Sequence, residues 1–219
     1  MKKYFFVFIA VCSGTYDFAQ PAVKDEPRHH NVFENDYVRV LDVYLPPNDT
    51  TQYHRHATPS VFIFLTKTTT ASQLINQKSV SSVSVAGSFL YDSLVTPRIH
   101  RVWNEDTGWF HVMDIELVAG KAHNEEPRLQ NSSIQLMFDK PLVRGYIVQL
   151  ATKEHLQLPS SKTGYLLVSL GEAVITLQLN GTMEHRYMKA GHYYWIESGR
   201  QMSIENKNAF ATFSVLQLK

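Results

Sequence analysis

The chain has 219 residues, of which 44% are hydrophobic and 12% aromatic, so it can bury a core as one large domain or as two small ones. Its 21 basic and 20 acidic residues are interspersed and give a formal net charge of +1. This balance creates no field that would attract polyphosphate, which argues against nucleic acid as a partner.

The N-terminal segment has the pattern of a secretory signal peptide. Lys2 and Lys3 precede a short apolar run that ends at Cys12, and cleavage near Ala19 would remove residues 1–19. The run is too short to span a membrane and no comparable run follows it. We therefore expect no membrane span and a secreted or periplasmic protein. Lipid attachment at Cys12 is the less favoured alternative, because the residue before it is not small.

The rest of the chain has the pattern of an all-β protein. Segments rich in β-branched and aromatic residues recur, and turn signals containing Gly, Pro and Asn separate them. The clearest segments are residues 37–45, 61–65, 110–117, 166–170 and 173–179. Asn180 and Gly181 lie between two alternating segments, which predicts a hairpin. Many short strands without a competing amphipathic helix favour a sandwich or barrel.

An internal repeat divides these strands into two sets. At an offset of 105 positions, residues 38–45 match residues 143–150, and the agreement continues without a gap over about 35 positions. Any two β-rich segments can be slid into partial agreement, but a gapless match of this length favours a duplication. The sequence therefore predicts two β-domains, over residues 28–119 and 133–219.

Two histidines in the first domain are candidate metal ligands. His54 and His56 precede a strand-forming run, and alternate residues of a strand project to the same side. Two imidazoles placed in this way can bind one divalent ion at about 2.0–2.1 Å if a third ligand comes from elsewhere. A histidine pair on a strand is more often a partly exposed polar face, so the pair alone is weak evidence.

His100 is the candidate third ligand, and Asn104 follows it by four residues. Together with the histidine pair, these residues resemble the two short motifs of the cupin superfamily. Asn48 stands where the first motif usually has Gly, and Asn tolerates the left-handed backbone that a turn can require. The resemblance covers both repeats. It implies two tandem cupin barrels, also described as double-stranded β-helices or jelly rolls, with a metal bound by His54, His56 and His100.

The first copy also departs from the cupin pattern at the position of a fourth ligand. Ser60 and Val61 occupy the positions where the family usually has a glutamate ligand. By strand parity we expect Ser60, Phe62 and Phe64 to face the metal pocket. Three neutral ligands leave a divalent ion with its full charge and open positions. The predicted cofactor is one divalent transition metal, and imidazole suits iron, zinc and manganese alike.

The second copy departs further and is interpreted as a cupin that has lost its site. At the same offset the histidine pair becomes Pro159 and Ser161, and His100 becomes Met202. None of these side chains is a strong metal ligand. The second domain is therefore predicted to pack against the first domain or to wall its pocket.

Other polar residues are assigned by parity and position. His111 could line the metal pocket as a proton shuttle or an extra ligand, although a hydrogen-bonded histidine in a strand is commoner. Asp114 and Glu116 project opposite to His111 and are interpreted as surface charges. His29 and its neighbour His30 lie in a polar lead-in that is interpreted as a solvated arm.

Three functional hypotheses follow from these assignments. The leading one is a secreted, metal-binding bicupin that acts as a metal-dependent enzyme of dioxygenase, isomerase or hydrolase type on a small molecule. The alternative is a non-catalytic module that binds a small molecule, a sugar or a metal. The third is a structural domain whose histidines are residual. Formation of a homodimer is left open. Cupin sheets often pair between chains, but an internal duplication can provide the same pairing within one chain.

Overall fold

The structure is a computed structural model that describes residues 20–119, 126–179 and 181–219. Its regular elements are antiparallel β-strands and, within these residues, one 3-10 helix, Val23–Asp25. The all-β prediction is confirmed. The predicted signal peptide with Cys12, and Asn180 of the predicted hairpin, lie outside the described residues. In the part of the chain that is described, no helix is long and apolar enough to cross a membrane.

The first half of the chain forms two sheets around one interior. Its strands are β1 (His29–Glu34), β2 (Arg39–Leu45), β3 (His54–His56), β4 (Ser60–Phe64), β5 (Thr69–Leu74), β6 (Val80–Val83), β7 (Phe89–Asp92), β8 (Arg98–Asn104) and β9 (Phe110–Glu116). The five-stranded sheet has the order β1-β2-β9-β4-β7, and the four-stranded sheet has the order β3-β8-β5-β6. The alternation of Val, Ile and Phe along these strands supplies the apolar inner faces.

The second half repeats this plan strand for strand. Its strands are β10 (Ile134–Asp139), β11 (Val143–Leu150), β12 (His155–Leu158), β13 (Tyr165–Ser169), β14 (Ala173–Leu179), β15 (Thr182–Met188), β16 (Tyr193–Ile196), β17 (Met202–Asn206) and β18 (Ala211–Leu218). Their sheet orders, β10-β11-β18-β13-β16 and β12-β17-β14-β15, are those of the first half with each strand replaced by its counterpart. The predicted duplication is therefore confirmed in the topology.

The duplication extends to irregularities of the backbone. The register of the β1–β2 pair shifts after Asn31, and that of the β10–β11 pair shifts after Leu136, its partner at the offset of 105. Asn48 has a φ of 63° and Lys153 a φ of 64°. The left-handed turn expected at Asn48 is therefore present in both copies, although the second copy has lysine there.

The two barrels pack through their five-stranded sheets. Apolar side chains of β2, β4 and β9 form one buried cluster with those of β11, β13 and β18, and it includes Val61, Ile63, Met113, Leu166, Val168 and Leu216. Aromatic rings extend this contact, with ring centroids 5.9 Å apart for Phe33 and Trp195 and 5.7 Å apart for Phe89 and Phe138. The outward face of each five-stranded sheet is consequently buried.

The two barrel interiors differ in content. That of the second barrel is filled with apolar side chains, among them Leu156, Leu158, Met202 and Phe213. The first has a smaller apolar cluster that includes Val43. The first interior therefore has room for a cavity.

One buried asparagine holds the corresponding loops together in each copy. The Asn104 amide donates to the carbonyls of Leu45 and Gly108 at 3.0 and 2.7 Å. The Asn206 amide donates to the carbonyls of Leu150 and Ala209 at 2.9 and 3.0 Å. Each amide satisfies backbone groups that the loops cannot pair themselves.

We predict that Asn104→Ala and Asn206→Ala each lower the free energy of unfolding by on the order of 2–3 kcal/mol, because each removes the side-chain donor of a buried carbonyl, that of Leu45 or of Leu150. Urea unfolding of the metal-free protein measures this. Exposed Asn208→Ala is the control and should change the value by less than about 0.5 kcal/mol. Variants as stable as the control would contradict the role given to the two asparagines.

Candidate metal centre

Three histidines meet on the inner face of the four-stranded sheet. Strands β3 and β8 pair antiparallel, and His54 lies directly opposite His100. His56 is two residues from His54 and so shares its face. His54 and His56 are buried and His100 is half-buried. The structure thus brings together the three predicted ligands, hereafter the histidine trio.

The spacing of the trio suits one shared ion. The Nε2 atoms of His56 and His100 are 3.0 Å apart, and one ring nitrogen from each of the three residues lies within 4.8 Å of the others. Two nitrogens bound to one zinc-sized ion at about 2.0–2.1 Å are separated by a similar distance. Within the described ranges, this is the one group of three or more histidine, cysteine or acidic side chains with metal-site spacing.

Hydrogen bonds fix which nitrogen faces the ion site. His54 Nδ1 donates to the Gln52 carbonyl at 2.8 Å, and His100 Nδ1 lies 3.1 Å from the Ser72 hydroxyl. The Nε2 atoms are left to face inward. His54 Nε2 is buried and has no hydrogen-bond partner among the described residues. A buried acceptor without a donor is costly, and a metal ion would satisfy it, so the trio fits a divalent cation.

The trio is neutral at physiological pH. Burial lowers the pKa of His54 to about 4 and the pKa of His100 to about 3. Burial, together with the nearby His100 ring, also lowers the pKa of His56. Neutral imidazole is the form that binds metals, so the site is prepared to bind a cation without first releasing protons.

The trio faces a cavity of about 380 Å³ inside the first barrel. Phe62 and Phe64 line this cavity, as their parity predicts, whereas Ser60 is buried but is not among the lining side chains. Further apolar side chains line it, including Val43, Leu45, Leu90, Val102, Phe110 and Val112. A cavity of this size accommodates a small organic molecule.

Two positively charged side chains, Lys78 and Arg98, also line the cavity. Arg98 pairs with the Asp92 carboxylate at 2.5 Å. Its Nε is buried and has no hydrogen-bond partner among the described residues. The guanidinium therefore has a free donor close to His100, two residues along the same strand.

Asp114 is not a surface charge, so its interpretation as one was wrong. It is fully buried, lies opposite Phe62 in the register of β4 and β9, and lines the cavity. Glu116 is also buried, at 2% exposed, where it pairs with Arg39. Both faces of β9 are covered, so neither carboxylate reaches solvent. Strand parity alone could not have predicted this burial.

The Asp114 carboxylate lies beside the trio. Its Oδ2 is 3.8 Å from His56 Nδ1, and neither carboxylate oxygen has a hydrogen bond of standard geometry. Burial, with the like charge of Glu116, raises the pKa of Asp114 to about 8, and the Ser60 hydroxyl counters this rise in part. Asp114 is thus placed to orient His56 from behind, as carboxylates commonly do at metal sites.

His111 does not line the metal pocket, and its assignment there was wrong. Its Nε2 lies 2.7 Å from Asp42 Oδ1 and its ring stacks on Tyr44 with centroids 3.8 Å apart. His111 has the parity of Met113, which faces the second barrel. It is the hydrogen-bonded strand histidine of the commoner interpretation.

His29 is a cavity residue that sequence reasoning missed. It is 8% exposed, begins β1 opposite Val43 and lines the cavity, whereas its neighbour His30 is exposed. The lead-in is therefore not a solvated arm. The repeat contained the signal, because the partner of His29 at the offset of 105 is Ile134, which packs against the second core.

The second barrel has apolar side chains at two of the three positions of the trio. Leu158 lies opposite Met202 in the β12–β17 pair, as His54 lies opposite His100. The counterpart of His54 is therefore Leu158, one residue before the Pro159 that a constant offset predicts. Leu158 and Met202 are both fully buried in the core.

No protein-family model matches the sequence, and no curated protein matches it. Solved structures match its fold. A cupin 2 conserved barrel domain protein from Leptotrichia buccalis is 12% identical at a TM-score of 0.56, and the match covers 85% of this chain and 86% of that protein. AerE from Microcystis aeruginosa is 10% identical at a TM-score of 0.62, with 89% of this chain and 98% of that protein covered.

A third match is a variant of the salicylate 1,2-dioxygenase from Pseudoaminobacter salicylatoxidans in complex with gentisate. It is 12% identical at a TM-score of 0.60, and the match covers 85% of this chain and 70% of that protein. At identities this low, the structural matches show the fold and nothing further. The two tandem cupin barrels implied by the sequence motifs are therefore confirmed as the architecture of this chain.

We predict that at about pH 9, above the raised pKa of Asp114, Asp114→Asn lowers the affinity of the trio for Zn²⁺ by about tenfold, because it removes the charge behind His56. Competition with a colour-forming chelator measures the affinity. Asp42→Asn alters the pair that Asp42 forms with His111 outside the cavity, and it should leave the affinity unchanged. Equal affinities for the parent and Asp114→Asn would show that this carboxylate does not support the site.

Proposed function

We propose that this cupin-fold protein is a metal-dependent enzyme that acts on a small, largely apolar organic acid inside its first barrel. The observation that carries the proposal is the buried His54 Nε2, which has no hydrogen-bond partner among the described residues and belongs to three neutral imidazoles converging on one cavity. A structural domain gains nothing from three desolvated histidines. The second barrel supports this contrast, since its interior is packed with apolar side chains.

His54, His56 and His100 would hold the ion. Three neutral ligands leave positions on a divalent ion open, which is the arrangement of catalytic rather than structural sites. When bound, the ion would supply Lewis acidity or, if it is iron, redox chemistry with oxygen. Imidazole ligands suit iron, zinc and manganese, so the identity of the ion is a matter for experiment.

The cavity walls indicate the class of substrate. Phe62, Phe64 and Phe110 offer flat apolar contacts, which suit an aromatic or branched carbon skeleton. The Nε donor of Arg98, which has no partner among the described residues, favours a carboxylate on the same molecule. A salicylate dioxygenase of the same fold binds gentisate, an aromatic acid, which makes such acids the first compounds to test.

We also propose that the protein acts outside the cytoplasm. This proposal rests on the signal peptide predicted over residues 1–19 and leaves the choice between the periplasm and the medium open.

The proposal predicts one metal ion per chain, and turnover that depends on it. The full-length protein, purified without a histidine-rich tag, is analysed for metal before and after supplementation with Fe²⁺, Mn²⁺ and Zn²⁺. Iron-loaded protein is then assayed for oxygen consumption with gentisate and salicylate, and zinc-loaded protein for hydrolysis or isomerisation of small acids. His54→Ala and His100→Ala should lose both metal and turnover, because each removes a ligand.

Exposed His155 lies in the second barrel, and His155→Ala is the matched control that should keep both. Metal and acid binding without turnover would favour the alternative of a non-catalytic binding module. Failure to bind any of the three ions would contradict the proposal and leave the histidines without a metal-binding role.

A further inference from the structure

A second buried histidine–carboxylate pair lies beside the trio. His29 Nδ1 donates to Glu26 Oε2 at 2.7 Å, and the side chains are 7% and 1% exposed. Glu26 belongs to the segment that contains the 3-10 helix before β1. The proposed chemistry assigns no role to this pair.

His29 approaches the trio from one side without joining it. Its ring centroid is 4.6 Å from that of His54 and 6.5 Å from that of His56. It is not among the residues whose ring nitrogens converge within metal-site spacing. Because it also lines the cavity, His29 is placed to contact a molecule bound there rather than to complete the ligand set.

Glu26 fixes the ring of His29. Its carboxylate also accepts the backbone N–H of Arg28 at 2.7 Å and that of Gln52 at 3.0 Å. Burial alone would raise the pKa of Glu26, but the hydrogen bonds from His29 and from these backbone groups hold this pKa below its ordinary value. The carboxylate therefore accepts from Nδ1–H, and in the neutral ring this tautomer leaves Nε2 as the acceptor.

The same backbone segment connects the two histidine systems. Gln52 donates its N–H to Glu26 and accepts the Nδ1–H of His54 through its carbonyl, at 2.8 Å. One residue of the chain thus fixes both rings. The orientation of His29 is coupled to that of a predicted metal ligand, which a solvated arm would not provide.

We propose that His29, oriented by Glu26, accepts a hydrogen bond through Nε2 from a molecule coordinated at the open face of the trio. This inference rests on the proposed function. It specifies the ligand class further: an acid that carries a hydroxyl or N–H donor next to the group that binds the metal. Such a molecule would satisfy the metal and His29 at once.

The test uses the full chain loaded with Co²⁺, whose visible spectrum reports coordination. Acetohydroxamate is the probe, because it binds metals and retains an N–H donor, and acetate is the matched ligand without a donor. His29→Phe keeps the ring volume and removes the acceptor. His29→Gln restores an acceptor, and His30→Ala changes the exposed neighbour.

We expect His29→Phe to retain one Co²⁺ per chain and to bind acetohydroxamate about three- to tenfold more weakly, the range of one hydrogen bond. Its acetate affinity should stay within about twofold of the parent value. His29→Gln should recover part of the lost affinity, and His30→Ala should match the parent. If His29→Phe does not fold, as judged by urea unfolding, His29→Leu, which also removes the acceptor, takes its place in the same comparison.

Each other outcome overturns the inference in a distinguishable way. Parent protein that binds no Co²⁺ refutes the metal site and the proposed function with it. Parent protein that binds Co²⁺ but not acetohydroxamate, or variants with equal affinities for it, refutes the role of His29 alone. Loss of Co²⁺ from His29→Phe would make His29 a ligand instead of an outer contact.

Discussion

The face-to-face packing of the two five-stranded sheets is the constraint on which the rest of this structure depends. Strand β9 lies in the middle of the first sheet, so its side chains enter either the barrel interior or the contact between barrels. Met113 and Ile115 fill the contact, whereas Val112 and Asp114 enter the cavity. Because neither face of this strand meets solvent, the Asp114 carboxyl is desolvated and its pKa is raised.

The two halves share one backbone topology but differ in the side chains that fill their interiors. Sheet order, the left-handed turn and the buried asparagine are shared, yet the first interior holds polar groups where the second holds Leu158 and Met202. Desolvating three imidazoles costs stability unless something satisfies them. The first copy bears this cost and the second copy does not. The buried polar groups are therefore concentrated in the barrel for which a function is proposed. The second barrel contributes by covering the sheet behind the cavity.

Much of this arrangement could be predicted from sequence because its signals are local or periodic. The repeat identified both barrels, and the parity of His54 and His56 placed their side chains on one face. His111 and Asp114 were misplaced because parity distinguishes the two faces of a strand but not what covers each of them. His29 was missed because it lies upstream of Val38, where the sequence match begins, although its partner Ile134 packs against the second core.

Anomalous diffraction at the zinc absorption edge, from crystals of the zinc-loaded protein, tests the central claim most directly. The account predicts one peak in the first barrel, at about 2.0–2.1 Å from a ring nitrogen of each of His54, His56 and His100, and no peak in the second barrel. A peak elsewhere, or none at the trio despite excess zinc, would contradict the assignment of these histidines as the metal centre of this protein.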